Sequence, residues 1–574
     1  MRASIDLLHA AIKQQTQIAL DSGDWAPTPN KALGDFSVPC FKLAKSLGKA
    51  PPVVAQELAA TLGPALRENG IAEVRAVGPY LNVFQDGASL YLRLKSALEK
   101  DPLKFGSLGL GRGQTVCIDF SSPNVAKEIG LHHLRSTAIG NSLARIFAFQ
   151  DYRVEKINYL GDWGTSFGKL ILGLEMFGQE NELKEQGLAY MLDLYVKFNQ
   201  AEKQDAALSE KAKLAFRELE AGHAEYRRIW KLFRDISVQQ FKLLYDRLGV
   251  DFDHYDGESL YENKLDAAVA EVNAKIGTRT SEGALVCDLP GHEIPVLLKK
   301  DDGASLYITR DLAAIQDRWE RFHFDVNLYV VAIQQKLHFT QLFDLVKAVG
   351  KEFAGKSEHI SFGMLAFGSK TMKSREGNAI FLKDALDEGQ TRALALIREK
   401  NPELPYAEEV ADWIGTGALV FSDLSQNRNH TINFDWDKAL SFEGDTSPFI
   451  QYTHARCTSL LDKTAEHAKT LDKAAATTGV PADLIRHEAV RGLLLAWDSF
   501  DLAAEKALVN RDPSAIASVT LDVAKAFNQL YHKVRFLDVK DTHELEMLMT
   551  LTAGTRQLLK NGLSLLGIKA PERM

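Results

Sequence analysis

The chain has 574 residues, 45% hydrophobic and 25% charged, with a formal net charge of −8. That length suits about three to four domains, and the negative balance excludes bulk attraction to nucleic acid, so any such contact needs a local basic surface. No apolar run reaches the roughly 20 residues that span a bilayer, and the amphipathic start lacks a signal peptide's apolar core. The four cysteines, Cys40, Cys117, Cys287 and Cys457, are scattered without a Cys-x-x-Cys pair. A reducing compartment is therefore expected, with neither a disulfide framework nor a zinc knuckle.

Residues 1 to about 105 read as a small α+β unit. "PCFKLAKSLGKAPPVVAQELAATL" carries helical spacing in two pieces broken at Pro51-Pro52, and "YLNVFQ" alternates like an edge or meander strand. The Gly-rich "KDPLKFGSLGLGRGQ" reads as a linker. From about 113 to 385, strands alternate with helices. "QTVCIDF" leads to a helix from about 132, "YRVEKINYLGD" to "GTSFGKLILGLEMF", "ASLYITR" to "DLAAIQDRWERF", and "NLYVVAI" to "LHFTQLFDLVKAV". Repeated strand–helix units predict a parallel sheet with crossover helices. Residues 180–250 read as charged helices and about 256–300 as a mixed insertion. Past about 445, long amphipathic stretches without strands predict a bundle of four to five helices.

In open parallel sheets, ligands bind outside the carboxyl ends of the strands. Three such junctions hold unusual polar residues: Asp119, Ser121, Asn124, Lys127, His132 and His133 at the first, Tyr307 and Asp311 at the second, and Gln334, Gln335 and His338 at the third. A helix start offers free N–H groups to a phosphate, and Gly130 lets a flat base approach the backbone. Each feature has a plainer reading: an exposed polar pair for the histidines, a helix N-cap for Asp311, a loop for Gln334-Gln335. No G-x-x-x-x-G-K-[ST], H-E-x-x-H or metal-spaced cluster occurs. These residues alone predict an α/β nucleotide-binding enzyme with a helical appendage.

"FSSPNVAKE…HLRSTAIGNSLARIF", "NYLGDWGTSFGKL", "LYITRDLAAI", "TMKSREGNAIFLKDALDE", "LSQNRNHTINFDWDKALSFEGDTSPFIQYTHAR" and the final "APERM" resemble, in order, blocks of the arginyl-tRNA synthetases, class I aminoacyl-tRNA synthetases. The resemblance covers nearly the whole chain, and "GDFSVPCFKLAKSLGKAPPVVAQELA" is similar to the family's N-terminal domain. It implies an N-terminal α+β tRNA-contacting domain at 1–105 and a class I Rossmann-like catalytic domain with helical insertions at 106–385. A connecting stem at 386–444 and a helical anticodon-binding domain at 445–574 would follow. It also implies a ligase, in the cytoplasm and monomeric, that joins L-arginine to its tRNA through an arginyl-adenylate. ATP is a substrate, Mg2+ escorts its phosphates, and activation characteristically needs bound tRNA.

On this resemblance the arginine pocket falls on Asp119, Asn124, Tyr307, Asp311 and Gln335. A guanidinium is a planar donor fork that wants carboxylate acceptors, which suits this set. Ser122, Lys127 and His133 would face ATP, joined by Gly130 and His132. Lys373, Ser374 and Arg375 would belong to a loop closing on the phosphates. The residues expected to act in the chemistry are His133, His132, Lys127, Lys373 and Arg375, with no metal held by the protein.

Two departures stand out. The class I His-x-Gly-His signature aligns on Gly130-Leu131-His132-His133, so glycine and histidine have traded places. "KTMKSREGN" likewise lacks the common Lys-Met-Ser-Lys-Ser order. The expectation is a distorted helix start that turns His132 toward the phosphates while Gly130 provides room. A paralogue without charging activity and a non-catalytic RNA-binding scaffold are the alternatives; the full-length N-terminal domain and bundle argue against the first, and the intact set of pocket residues against the second.

Overall fold

The computed structural model describes residues 1–28, 30–300, 307–367, 380–469 and 479–574. In the N-terminal unit, β1 (Ala26–Pro27), β2 (Phe36–Pro39), β3 (Ile71–Val77) and β4 (Tyr80–Gln85) form an antiparallel sheet of order β1-β2-β4-β3. β4, expected at an edge or in a meander, is an interior strand with Leu81 and Val83 in the core. The helix break does fall at the prolines. Gly48 ends Phe41–Leu47 in the left-handed region, and Pro51 starts Pro51–Leu66, where a missing N–H costs nothing.

The Gly-rich stretch is no free linker. Phe105 is buried, and Lys104 Nζ donates to Ala148 O at 2.9 Å and Phe149 O at 2.8 Å. The next four strands of interest are β5 (Thr115–Asp119), β6 (Arg153–Ile157) and, after an antiparallel insertion of β7 (Arg279–Ser281), β8 (Ala284–Cys287) and β9 (Val296–Lys299), β10 (Val326–Ala332) and β11 (Ser357–Phe362). β5, β6, β10 and β11 form an all-parallel sheet of order β11-β10-β5-β6. Its order reverses between β5 and β10, and a crevice opens outside the carboxyl ends at such a reversal. In register, Asp119 on β5 pairs with Tyr329 on β10 and Ile157 on β6.

One expected strand differs. Tyr307–Phe322 is a single helix, so Tyr307 to Arg310 of "ASLYITR" are helical, and residues 301–306 lie outside the described set. Ile308, Leu312, Ala313 and Ile315 recur at helical spacing and are buried, which outweighs the β-branched "YIT". Asp311 is consequently in the second turn and is not an N-cap. Residues 180–250 fold as four helices, and the insertion adds Leu265–Lys275 to its sheet.

The signature helix His133–Phe149 follows β5, and Lys336–Ala348 follows β10. Past β11, β12 (Leu365–Phe367) pairs in parallel with β13 (Ile432–Phe434). The C-terminal bundle comprises Ser447–Ala468, Glu488–Asp498, Phe500–Asn510, Ser514–Lys533 and Thr542–Leu565, with the short Ala482–Arg486. "HEAVRGLLLAWDSFDLAAEKAL" thus makes two helices that meet at Ser499. One continuous core runs from β5 and the signature helix through Ala407–Leu424 into the bundle, while the N-terminal unit has its own.

Candidate active site

The turn after β5 is held in an uncommon shape. Ser121, Ser122 and Ala126 have φ of 71°, 49° and 62°, a region non-glycine residues avoid. The surroundings over-determine it. Ser121 N donates to Ser136 Oγ at 2.9 Å, Ser121 Oγ lies 2.8 Å from the Tyr245 hydroxyl, and Ala126 N donates to Ser237 Oγ at 3.0 Å. Such strain persists only where a fold enforces it, and it gathers at functional sites.

Asp119 departs from its expected place in an arginine pocket. Its carboxylate already holds a guanidinium: Arg318 Nη2 donates to Oδ2 at 2.6 Å, and Ser122 Oγ donates to Oδ1 at 3.0 Å. Arg318 is fully buried over the Tyr159 and Tyr329 rings, at 5.6 and 5.0 Å. Burial works against its charge, but the Asp119 carboxylate holds the guanidinium well above its ordinary range. Both side chains are closed to solvent, at 1% exposure for Arg318 and 5% for Asp119. Ser122, expected on ATP, commits its hydroxyl proton to Asp119.

Gly130 lies before the signature helix. Its backbone bridges Phe381, Leu131 N donates to Ile380 O at 2.9 Å, and Leu382 N donates to Ile129 O at 2.9 Å. The signature thus clamps the chain just past residues 368–379. The helix begins at His133, so Gly130, Leu131 and His132 lie ahead of it. His132, helical in φ and ψ, folds its ring back over Gly130, where a Cβ would meet Cε1 at 2.5 Å. The two histidine rings lie 4.1 Å apart, and His133 Nδ1 is 3.3 Å from Gly130 O. Burial, then the charge of His132, pushes His133 down to about 4, so it is neutral at pH 7.

Asp311 differs from Asp119 in access. Its side chain is 18% exposed, and its partner is His338, whose Nε2 lies 2.6 Å from Oδ2. Tyr307, 67% exposed, precedes Asp311 by one turn, which places both on one helix face. Sequence reasoning missed Glu258. Its carboxyl is 3.6 Å from Arg310 Nη1 in a loop that Asp162 fixes by accepting from Ser259 N at 2.9 Å and Ser259 Oγ at 2.8 Å. Burial raises Glu258; Arg310 opposes this, and the charges of Asp162 and Asp311 add to it, leaving the carboxyl at about 7. The Tyr159 hydroxyl is buried without a partner and feels both Asp311 and Glu258. A carboxylate poised at neutrality inside a cleft is a signal that spacing alone does not carry.

Asn124 is exposed and forms an isolated bridge with Gly161, where a Cβ would lie 2.2 Å from Asn124 Oδ1. Gln335 and Lys127 are exposed as well, at the third and first junctions. Lys373, Ser374 and Arg375 lie outside the described residues.

The family model described as "tRNA synthetases class I (R), catalytic domain" matches residues 94–436, "Arginyl tRNA synthetase N terminal domain" matches 5–85, and "DALR anticodon binding domain" matches 450–574. This chain belongs to the arginyl-tRNA synthetase family. An arginine–tRNA ligase of Clostridium kluyveri is 39% identical over 548 residues, 95% of each chain. One of Latilactobacillus sakei is 38% identical over 575 residues, 98% of this chain and 100% of the relative. The solved Thermus thermophilus arginyl-tRNA synthetase is similar over 100% of both chains, with a TM-score of 0.82 at 26% identity.

In this synthetase a second buried guanidinium ties the site to the rest of the molecule. Arg135, two residues past His133, donates through Nε to Asp423 Oδ1 at 3.0 Å and through Nη1 to His430 O at 2.9 Å. Both side chains are 1% exposed. In the synthetase's bundle, Arg456 lies between the Tyr452 and Tyr531 rings, at 4.8 and 5.0 Å, beside a cleft of about 540 Å³ that Met574 also lines. Among the described residues no helix is long and apolar enough to cross a membrane.

Proposed function

We propose that this chain attaches L-arginine to its tRNA in two steps. A carboxylate oxygen of arginine attacks the α-phosphorus of ATP, and the bond to pyrophosphate breaks, giving arginyl-adenylate. The 2′-hydroxyl of the terminal tRNA adenosine then attacks the arginyl carbonyl, and AMP leaves. The observation that carries the reading is the pair Asp311 and Glu258, two partly accessible carboxyls coupled in charge beside the switch point of a class I sheet. A planar fork of N–H donors is met by carboxylate acceptors of this kind.

On this reading the guanidinium lies between Asp311 and Glu258, with Tyr307 against it. Asn124 and Gln335 take the α-amino and carboxylate end. ATP lies along the turn before the signature helix, near the positive end of the helix dipole. Lys127 and His133 would meet its phosphates, with His132 at the rim and Lys373, Ser374 and Arg375 closing from the loop. A phosphate beside neutral His133 would favour its protonated, donating form. The protein's part is mostly positioning and charge stabilisation.

Mg2+ would ride on the ATP phosphates. Among the described residues no group of three or more His, Cys, Asp or Glu could hold a metal ion. The proposed divisions are 1–105, 106–385, 386–444 and 445–574, the third beginning within the helix Leu382–Lys400, with the bundle reading the anticodon and the N-terminal unit gripping the tRNA. A cytoplasmic monomer completes the reading.

Pyrophosphate exchange with tRNA present tests it. Glu258→Gln and Asp311→Asn should each raise the arginine KM while the ATP KM stays near its starting value. Unchanged arginine KM values in both would remove the pair from the pocket.

A further inference from the structure

His338 stands at the third strand–helix junction with no role in the reaction as described. It is two residues into Lys336–Ala348, while Asp311 is in the separate helix Tyr307–Phe322. The two side chains nevertheless meet at 2.6 Å, His338 Nε2 to Asp311 Oδ2, and both are mostly shielded, at 22% and 18% exposure. The helix bearing His338 is well anchored. The neighbouring Phe339 is buried and stacks on His359 with centroids 4.6 Å apart, and His359 Nε2 lies 2.9 Å from Val331 O.

We propose that His338 is a positioning residue for arginine selection: it holds one oxygen of Asp311, so that the substrate guanidinium must span two carboxylates. This rests on the reading of Asp311 as a guanidinium acceptor. A carboxylate only accepts, so Nε2 carries the proton in this contact. Oδ2 is then engaged, which leaves Oδ1 for the substrate. A guanidinium that binds one carboxylate in two parallel hydrogen bonds needs both oxygens free. With one taken, its second pair of N–H donors must find another acceptor. Glu258, the second carboxyl of the proposed pocket, would be that acceptor, sharing its charge between the ligand and Arg310 Nη1, 3.6 Å away. A ligand with a compact ammonium, such as lysine, can satisfy one acceptor but does not bridge two through a rigid fork. His338 thereby converts a general cation site into one that measures the width of a guanidinium.

The test is pyrophosphate exchange by the full chain with tRNA present, measuring kcat, the KM for arginine and for ATP, and the inhibition constant of lysine. The variants are His338→Ala, His338→Gln and Asp311→Asn. His338→Ala should raise the arginine KM about tenfold, the scale of one hydrogen bond to a charged group, with the ATP KM unchanged. Lysine inhibition should change less, so the ratio of the two constants narrows. His338→Gln keeps an N–H donor and should recover most of the loss. If Asp311→Asn leaves the arginine KM unchanged, the pocket reading itself fails. If Asp311→Asn raises it but His338→Ala does not, or lowers it, the positioning role is overturned. A uniform fall in kcat with a lowered melting temperature, not rescued by glutamine, would also overturn it, because that is the signature of a structural residue.

Discussion

Asp119 and Asp311 are the same residue type at two edges of one crevice, and the resemblance to the family assigns both to the arginine pocket. The fold separates them. Asp119 is enclosed with Arg318 at 2.6 Å and already holds an internal guanidinium between two tyrosine rings. Asp311 keeps partial access to solvent and, among the described residues, has the imidazole of His338 on one oxygen. On the proposed reading, the same chemistry, a carboxylate on a guanidinium, would serve stability at one site and recognition at the other.

The largest effect should come from breaking the sealed pair. Asp119→Ala leaves Arg318 buried and uncompensated, which costs about 3–5 kcal/mol of stability. Urea denaturation should show this as a lowered midpoint. An Asp119→Ala protein as stable as the parent would dissolve the contrast with Asp311. Asp311→Asn should leave the midpoint nearly unmoved. Its cost of about 1.5–3 kcal/mol should appear instead in arginine binding, roughly a 10- to 150-fold rise in the arginine KM.

The pH response sharpens the contrast next. Glu258 sits at about 7 because burial, Asp162 and Asp311 outweigh Arg310. Arginine binding favours its ionised form and expels a proton, so affinity should fall as pH drops below 7, by up to about tenfold per unit. The stability sign is opposite. The folded chain holds this proton between about 4.5 and 7 while the unfolded chain does not, so the group's contribution is present at low pH and lost as pH rises through 7. His133 runs the other way. Its folded value of about 4 lies below the unfolded 6.5, so the unfolded state takes up the proton first and stability falls as pH drops from 6.5 toward 4. An arginine KM that is flat from pH 6 to 8 in the parent would remove Glu258 from the pocket; Glu258→Gln should flatten it.

The smallest effect is expected at Gly130. A Cβ there would meet the His132 ring at 2.5 Å, but that ring is exposed and can swing outward. Gly130→Ala should cost about 0.5–1.5 kcal/mol, the scale of a side chain pushed off its preferred rotamer. A thermal shift beyond that scale, or complete loss of exchange activity, would mean that the ring position is part of the chemistry.

Much of the architecture was legible. Hydrophobic periodicity marked β5, β6 and β10, the helical insertion and the bundle, because each strand is a short apolar run and each helix buries one stripe. "ASLYITR" misled because its β-branched residues sit at the buried positions of a helix, where packing overrides local preference. The site was legible in outline, since strand-to-helix junctions concentrate ligand contacts. Two of its features were hidden for the same reason. Arg318 neutralises Asp119 from 199 residues away in sequence, and the charge of Asp311 bears on Glu258, which opens a short helical turn that Asp162 fixes. Neither relation leaves a trace in spacing. The traded signature residues were visible, but the place of Gly130 before the helix depends on its pairing with Phe381.

The central claim is that Asp311 receives the substrate guanidinium and Asp119 does not. Calorimetric titration of arginine into Asp311→Asn and Asp119→Asn, both at a temperature where each is folded, tests it most directly. The account predicts affinity reduced at least about tenfold in Asp311→Asn, the lower bound for a lost charged hydrogen bond, and near the parent in Asp119→Asn. The reverse pattern, with arginine lost in Asp119→Asn and retained in Asp311→Asn, would contradict it.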